Sequence, residues 1–193
     1  MTETRDILLI SFIVCILLYN YIGACISRKH GAKIPLWPGI IKSRDYTFYL
    51  IYIGYMALLL NGIISIFKES YTLSLALPGF AFMFLGMYIN FVARRDLARY
   101  WSPLASSGTE QQLIKTGIYA KVRHPVYLSV SVLLLGFALI AGNLCGLLFF
   151  VLYLIALGTR IRKEEKELIA KFGEEYKEYA KETSPLIPKL KGK

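Results

Sequence analysis

The sequence predicts an all-α integral membrane protein: five transmembrane helices, the last two forming a C-terminal helical hairpin, followed by a cytoplasmic amphipathic helix. Three observations carry that expectation. Hydrophobic side chains make up 55% of the 193 residues, more apolar material than one soluble domain of this length buries. Four blocks, residues 7–26, 46–67, 72–93 and 126–159, contain no Asp, Glu, Lys or Arg. The basic residues gather in alternate connections between those blocks.

The first block resembles a signal peptide in position. It is long, however, preceded by both charge signs, and ends in Ile26-Ser27-Arg28 rather than a small-residue cleavage pattern, so it reads as a retained span. The second and third blocks each match the roughly 20 apolar residues that one crossing needs. The fourth runs for 34 residues and is broken near its middle by Gly142-Asn143, which predicts a tight hairpin. Each arm is then only about 16 residues, short for a bilayer, and is expected to pack against other helices in a thinned or protein-lined region. Gly142 and Gly146 have GxxxG spacing but fall on the predicted turn, which favours hairpin geometry over a dimerisation face.

Arg28, Lys29, Lys33, Lys42 and Arg44 lie between spans one and two, and Arg94, Arg95, Arg99, Lys115, Lys121 and Arg123 between three and four. Ten more basic residues follow span five, against only Arg5 and Lys68 on the opposite side. The positive-inside rule then puts the N-terminus outside and the C-terminus in the cytoplasm, which requires an odd number of crossings. The net charge of +10 is thereby explained by juxtamembrane residues facing anionic headgroups and calls for no nucleic-acid partner. The chain divides into a three-span region, residues 1–95, and a cofactor-binding and catalytic region, residues 96–193. Cys15, Cys25 and Cys145 lie in apolar segments without CxxC spacing and are expected to be buried structural thiols. With two histidines, and no GxGxxG, P-loop, HExxH or GxSxG, neither a metal nor a soluble-enzyme cofactor fold is indicated.

Two polar segments remain. Residues 115–127 form a turn-punctuated stretch between hydrophobic blocks and contain His124 directly before Pro125, a step that favours extended backbone at a helix entrance. After Thr159, the positions of Ile161, Leu168, Phe172, Tyr176 and Tyr179 predict an amphipathic helix continuing from span five, bent at Gly173. Arg160 and Glu164 are an i, i+4 pair on it, which as a solvated pair would contribute about 0.2 to 0.5 kcal/mol.

Taken together, Thr116-Gly117-Ile118-Tyr119, Arg123-His124-Pro125-Val126-Tyr127, the hairpin, Arg160 with Glu164-Glu165, Phe172-Gly173-Glu174-Glu175-Tyr176 and Pro185-Leu186-Ile187-Pro188 resemble the isoprenylcysteine carboxyl methyltransferase family. The likeness covers roughly the last 90 residues; related phospholipid N-methyltransferases share its His-Pro and Glu-Glu elements. The resemblance implies S-adenosylmethionine as cofactor, with Gln111, Gln112, Leu113, Ile114, Tyr119, His124, Pro125, Val126 and Tyr127 as its contacts. It implies Arg160 and Glu164 on the catalytic, substrate side. Ser129 departs from the glycine usual in the family beyond the second tyrosine, which bears on local helix packing.

The residue chemistry suits that assignment. A zwitterion with a sulfonium and an adenine asks for loop backbone, a polar group such as His124 and aromatic faces such as Tyr119 or Tyr127. A C-terminal carboxylate, with an ordinary pKa of about 3.3 to 3.7, needs positioning but no general base, and Arg160 can hold it bidentately. Glu164 would repel it and is expected to orient Arg160 or meet cofactor charge; Glu165 reads equally as a partner behind the site or a solvated residue. The expected acceptor is thus a prenylated cysteine carboxylate, or a lipid-like carboxylate as for a prokaryotic homologue, the form that a compact five-span chain suggests. The alternatives are a phospholipid N-methyltransferase, whose amine acceptor would need His124 or Glu164 as base, a sterol-reductase-like protein using a nicotinamide cofactor, and a non-catalytic membrane scaffold. The partners expected are a lipidated acceptor and membrane lipids.

Overall fold

The computed structural model describes residues 2–29, 46–71, 73–97 and 113–189, and among them the regular elements are helical. In order they are α1 (Thr2–Lys29), α2 (Tyr46–Phe67), α3 (Leu73–Leu97), a short 3-10 turn (Gly117–Ala120), α4 (Pro125–Ala141), α5 (Leu144–Phe172) and α6 (Glu174–Glu182). Helices α1, α2, α3 and α5 are long and apolar enough to cross a membrane. The fifth apolar helix, α4, has 17 residues. At 1.5 Å per residue it rises about 25 Å, less than a hydrocarbon core of about 30 Å.

Its position resolves the mismatch. Ser129, Ser131, Leu133, Leu134, Gly136, Phe137 and Ile140 of α4 are all buried, whereas the longer helices turn Ile7, Ile53, Leu77 and Ile155 outward, as a lipid-facing surface requires. The short helix is therefore lined by protein, as the arm length predicts. Its most extensive contact is with α3, followed by α2 and α5. Small residues allow the α3–α4 approach: a Cβ on Gly86 would lie 2.8 Å from the Ser129 carbonyl oxygen, and one on Gly136 would lie 2.5 Å from that of Gly79. Ser129 fits this tight seam because its hydroxyl donates to the Val126 carbonyl at 2.6 Å and pairs with the Tyr19 hydroxyl of α1 at 3.1 Å. The serine ties α4 to α1 where a glycine would leave only contact.

The hairpin closes as its sequence indicates. Gly142 adopts the left-handed conformation (φ 61°) that ends α4, and Asn143 caps α5 by accepting from the Gly146 amide at 2.8 Å. Asn143 also donates to Ser65 at 2.7 Å, pinning the turn to the end of α2. Gly146 packs against Asn61, so the GxxxG spacing serves the hairpin. Inside the bundle, Phe12, Leu58, Met83, Leu133, Phe137 and Leu157 form the core.

One expectation needs correction. Of the three cysteines, which are all free thiols, only Cys15 is buried; Cys25 and Cys145 lie on exposed helix faces. An apolar sequence neighbourhood does not say which face of a lipid-exposed helix a residue occupies. Among the described residues no group of His, Cys, Asp or Glu could hold a metal.

Candidate active site

The segment before α4 is shaped by one glycine and one aspartate. Gly117 has φ 61°, and a Cβ there would fall 2.1 Å from Asp96 Oδ2 at the end of α3. That carboxylate accepts the Ile118 amide at 2.9 Å and so starts the 3-10 turn. The turn directs Tyr119 inward, where burial pushes its phenol well up, and the Tyr179 hydroxyl donates to the Tyr119 carbonyl at 2.7 Å. Burial also pushes Tyr179 up to about 12.

Beyond the turn, Pro125 is the first residue of α4 and His124 takes a non-helical conformation (φ −121°, ψ 60°), as the residue before proline should. The amides of Arg123 and His124, left outside the helix, donate to the carbonyls of Ser184 and Pro185 at 2.9 and 3.0 Å. With a parallel bridge between Val122 and Ser184, the C-terminal segment lies alongside the His-Pro entrance.

The side chains of α4 and α5 meet here. The Tyr127 hydroxyl donates to Glu164 Oε2 at 2.5 Å and accepts from Arg160 Nε at 3.0 Å, while Arg160 Nε stands 3.7 Å from the same carboxylate. Arg160 is only 1% exposed. The i, i+4 pair is therefore a buried guanidinium bridged by a phenol to a half-buried carboxylate rather than a solvated pair, and such an arrangement is worth keeping only if every group is satisfied. His124 stacks on Tyr127 with ring centroids 5.6 Å apart. Its Nε2 lies 3.3 Å from Glu165 Oε1 and its Nδ1 4.0 Å from Glu164 Oε1. A carboxylate only accepts, so the proton belongs on Nε2.

Glu165 is thereby not a solvated residue. It takes His124 on one side and Arg123 on the other, with Arg123 Nε at 2.8 Å and Nη2 at 2.7 Å. The hydrogen bond from His124 chiefly holds its carboxyl below the usual range; burial opposes this and Arg123 reinforces it. Behind the cluster, the side chain of Tyr176 is buried and its hydroxyl has no hydrogen-bond partner among the described residues. Burial, followed by Glu165, raises that phenol, which stays protonated as a donor.

The structure thus gathers His124, Tyr127, Arg160 and Glu164, with Tyr119 and Pro125 buried beside them and Val126, Leu113 and Ile114 half-buried. Gln111 and Gln112 lie outside the described residues. Sequence reasoning missed Asp96 altogether, and gave Arg123 and the 183–185 segment no role. Arg123 was signalled by its place beside His124; Asp96 was hidden in a run of charges at a helix end.

Residues 79–170 match the model of the isoprenylcysteine carboxyl methyltransferase family. Over these residues the chain is similar to that family. It is 32% identical over 136 residues to the protein-S-isoprenylcysteine O-methyltransferase of Schizosaccharomyces pombe, covering 67% of this chain and 54% of the relative. It is 34% identical over 113 residues to the enzyme of the same name in Saccharomyces cerevisiae, covering 57% of this chain and 47% of that one. A solved structure of the eukaryotic intramembrane Ras methyltransferase ICMT shares the fold at a TM-score of 0.56, with 21% identity over 83% of this chain and 56% of that one. The chain spans about half the length of the curated relatives it matches. The family match and the shared helical fold agree with the resemblance seen in the sequence motifs.

Proposed function

We propose that this chain is a membrane methyltransferase that uses S-adenosylmethionine to esterify the C-terminal carboxylate of a prenylated cysteine or a lipid-like carboxylate. The observation that carries the proposal is Arg160, a buried cation fixed by Tyr127 and Glu164 where α5 passes from apolar to charged residues. An arginine at that depth suits an acceptor whose tail lies among the helices and whose headgroup is anionic. Its relatives' names point to the same acceptor.

The residues present fit the cofactor. It would supply an electrophilic methyl group on a sulfonium, and Leu113, Ile114, Tyr119, His124, Pro125, Val126 and Tyr127 would hold it, with Gln111 and Gln112. The buried Tyr176 hydroxyl, which has no partner among the described residues, could donate to it, and the His124–Tyr127 pair offers aromatic surface. Glu164 and Glu165 place negative charge where a sulfonium would be stabilised, and Glu164 at the same time orients Tyr127 and Arg160. An ionised carboxylate needs no proton removed, so the role of the protein is alignment and charge recognition. By the distribution of basic residues the site faces the cytoplasm and the N-terminus lies outside. The chemistry then belongs to residues 96–193, beginning at the Asp96 that shapes the loop, and residues 1–95 supply the membrane scaffold.

The test is transfer of labelled methyl from S-adenosylmethionine to a panel of prenylcysteines, fatty acids and aminolipids. Base-labile product on the carboxylates is expected; product on the aminolipids alone would overturn the assignment.

A further inference from the structure

We propose that Arg123 is a positioning residue that latches the C-terminal segment, residues 183–185, onto the His-Pro entrance, so that this segment forms a working wall of the cofactor site. The proposal rests on the function just given for that site. It starts from how many separate elements one guanidinium joins. Arg123 Nε and Nη2 hold Glu165 of α5, while Nη1 donates to the Ala180 carbonyl at 3.0 Å and to the carbonyl of Thr183. The last two lie in α6 and just beyond it, where helix-end carbonyls lack partners of their own. Thr183 closes the end from the other side, its hydroxyl donating to the Tyr179 carbonyl at 2.6 Å.

The backbone completes the latch. The Arg123 and His124 amides donate to Ser184 and Pro185, so the 183–185 segment fixes the two residues that immediately precede α4. His124 in turn shares Glu165 with Arg123 and stacks on Tyr127. Losing the Arg123 contacts would free one end of the segment, release the His124 backbone and leave the His124–Glu165 pair without the guanidinium that shares its carboxylate. The core of α4 would be untouched, because Leu133, Phe137 and Ile140 are held by α3 and by α1 through Phe12. Arg suits the post because its planar fork spans a carboxylate and two carbonyls; a lysine ammonium cannot reach all three.

The experiment compares wild type, R123Q, R123K and E165Q, each full length in nanodiscs. Amide exchange at residues 123–124, S-adenosylhomocysteine affinity and methyl-transfer kinetics are measured on each. For R123Q, exchange at 123–124 should quicken tenfold or more with residues 133–137 unchanged, and the KM for S-adenosylmethionine should rise about tenfold with kcat within twofold. R123K and E165Q, which each keep part of the latch, should fall between. A merely structural role would instead lower kcat through loss of folded protein and leave KM alone. Unchanged exchange at 123–124 in R123Q overturns the latch, and faster exchange with unchanged KM and affinity overturns its role in the site. If wild type neither binds S-adenosylhomocysteine nor transfers methyl, it is the function that fails, and the exchange arm still decides the latch.

Discussion

Tyr127→Phe is the sharpest probe of the bridged pair. It deletes one oxygen and leaves the ring that stacks on His124. The hydroxyl accepts from Arg160 Nε at 3.0 Å and donates to Glu164 at 2.5 Å, so two hydrogen bonds to charged groups disappear together. A bond to a charged group contributes about 1.5 to 3 kcal/mol, giving a gross loss of about 3 to 6. Arg160 and Glu164 already stand 3.7 Å apart and can close to direct contact, recovering roughly half. The net expectation is about 1.5 to 3 kcal/mol, or a 10- to 100-fold fall in kcat if the strain appears in the orientation of Arg160 during transfer. The assay is methyl transfer to a farnesylated cysteine with S-adenosylhomocysteine affinity measured alongside. A kcat within twofold of wild type would show that Tyr127 does not orient Arg160, and the account of the bridged pair would be wrong.

Other outcomes follow from the same geometry. Arg160→Lys keeps the charge but loses the two-point grip, so turnover should fall substantially with cofactor affinity near wild type; near-normal turnover, with a rate rising steadily from pH 6 to 9, would point to an amine acceptor. His124→Ala should weaken S-adenosylhomocysteine binding by about 1 to 3 kcal/mol, and calorimetry giving unchanged affinity would remove it from the site. Glu165 has its folded pKa depressed, so its contribution to stability is present above the unfolded carboxylate value of about 4.3 and is lost as pH falls through the lower folded value. The melting-temperature advantage of wild type over Glu165→Gln should therefore be constant near neutrality, begin to shrink as pH falls past the unfolded value of about 4.3, and vanish once pH drops through the lower folded value; an advantage that does not shrink in acid contradicts the network. Cysteine-accessibility labelling should place position 68 outside and position 115 in the cytoplasm, and labelling of both on one side would break the odd-span topology.

The helices and the hairpin were legible because their causes are local. Uncharged length predicts a span, and Gly142-Asn143 predicts a turn through left-handed backbone and an N-cap, both of which the chain uses. The pairing of Arg160 with Glu164 was legible through helical spacing, and the place of His124 and Tyr127 in the site through the motif, though not their stacking on each other. Glu165 was not: adjacent to Glu164, it points to a different partner, and sequence spacing alone does not say which carboxylate of a pair faces which neighbour. The docking of residues 183–185 was equally hidden, since a parallel bridge between segments some 60 residues apart depends on where α6 turns after Gly173. The two exposed cysteines were misjudged for the complementary reason, that lipid accepts thiols as readily as a protein core does.

The short length of α4 has its own meaning for the proposed reaction. Tyr127 lies fifteen residues before Gly142 (142 − 127) and Arg160 seventeen after Asn143 (160 − 143), so the two arms rise about 22 and 26 Å from a common turn. They reach nearly the same depth, which is why a phenol and a guanidinium on different helices meet at 3.0 Å. In the proposed orientation, with the turn at the outer boundary, that depth would fall a few ångströms inside a hydrocarbon core of about 30 Å. A buried arginine there is costly in lipid, and its cost is offset by Tyr127 and Glu164. In the proposed orientation the His-Pro entrance, at the start of α4, would face the aqueous side at the same level. For the proposed reaction, a water-soluble methyl donor and a carboxylate anchored by an apolar tail would then meet without either crossing into the other's phase. Lengthening α4 by one turn would carry the His124 end about 5 Å past Arg160, separate the two halves of the site and abolish turnover even if both helices still formed.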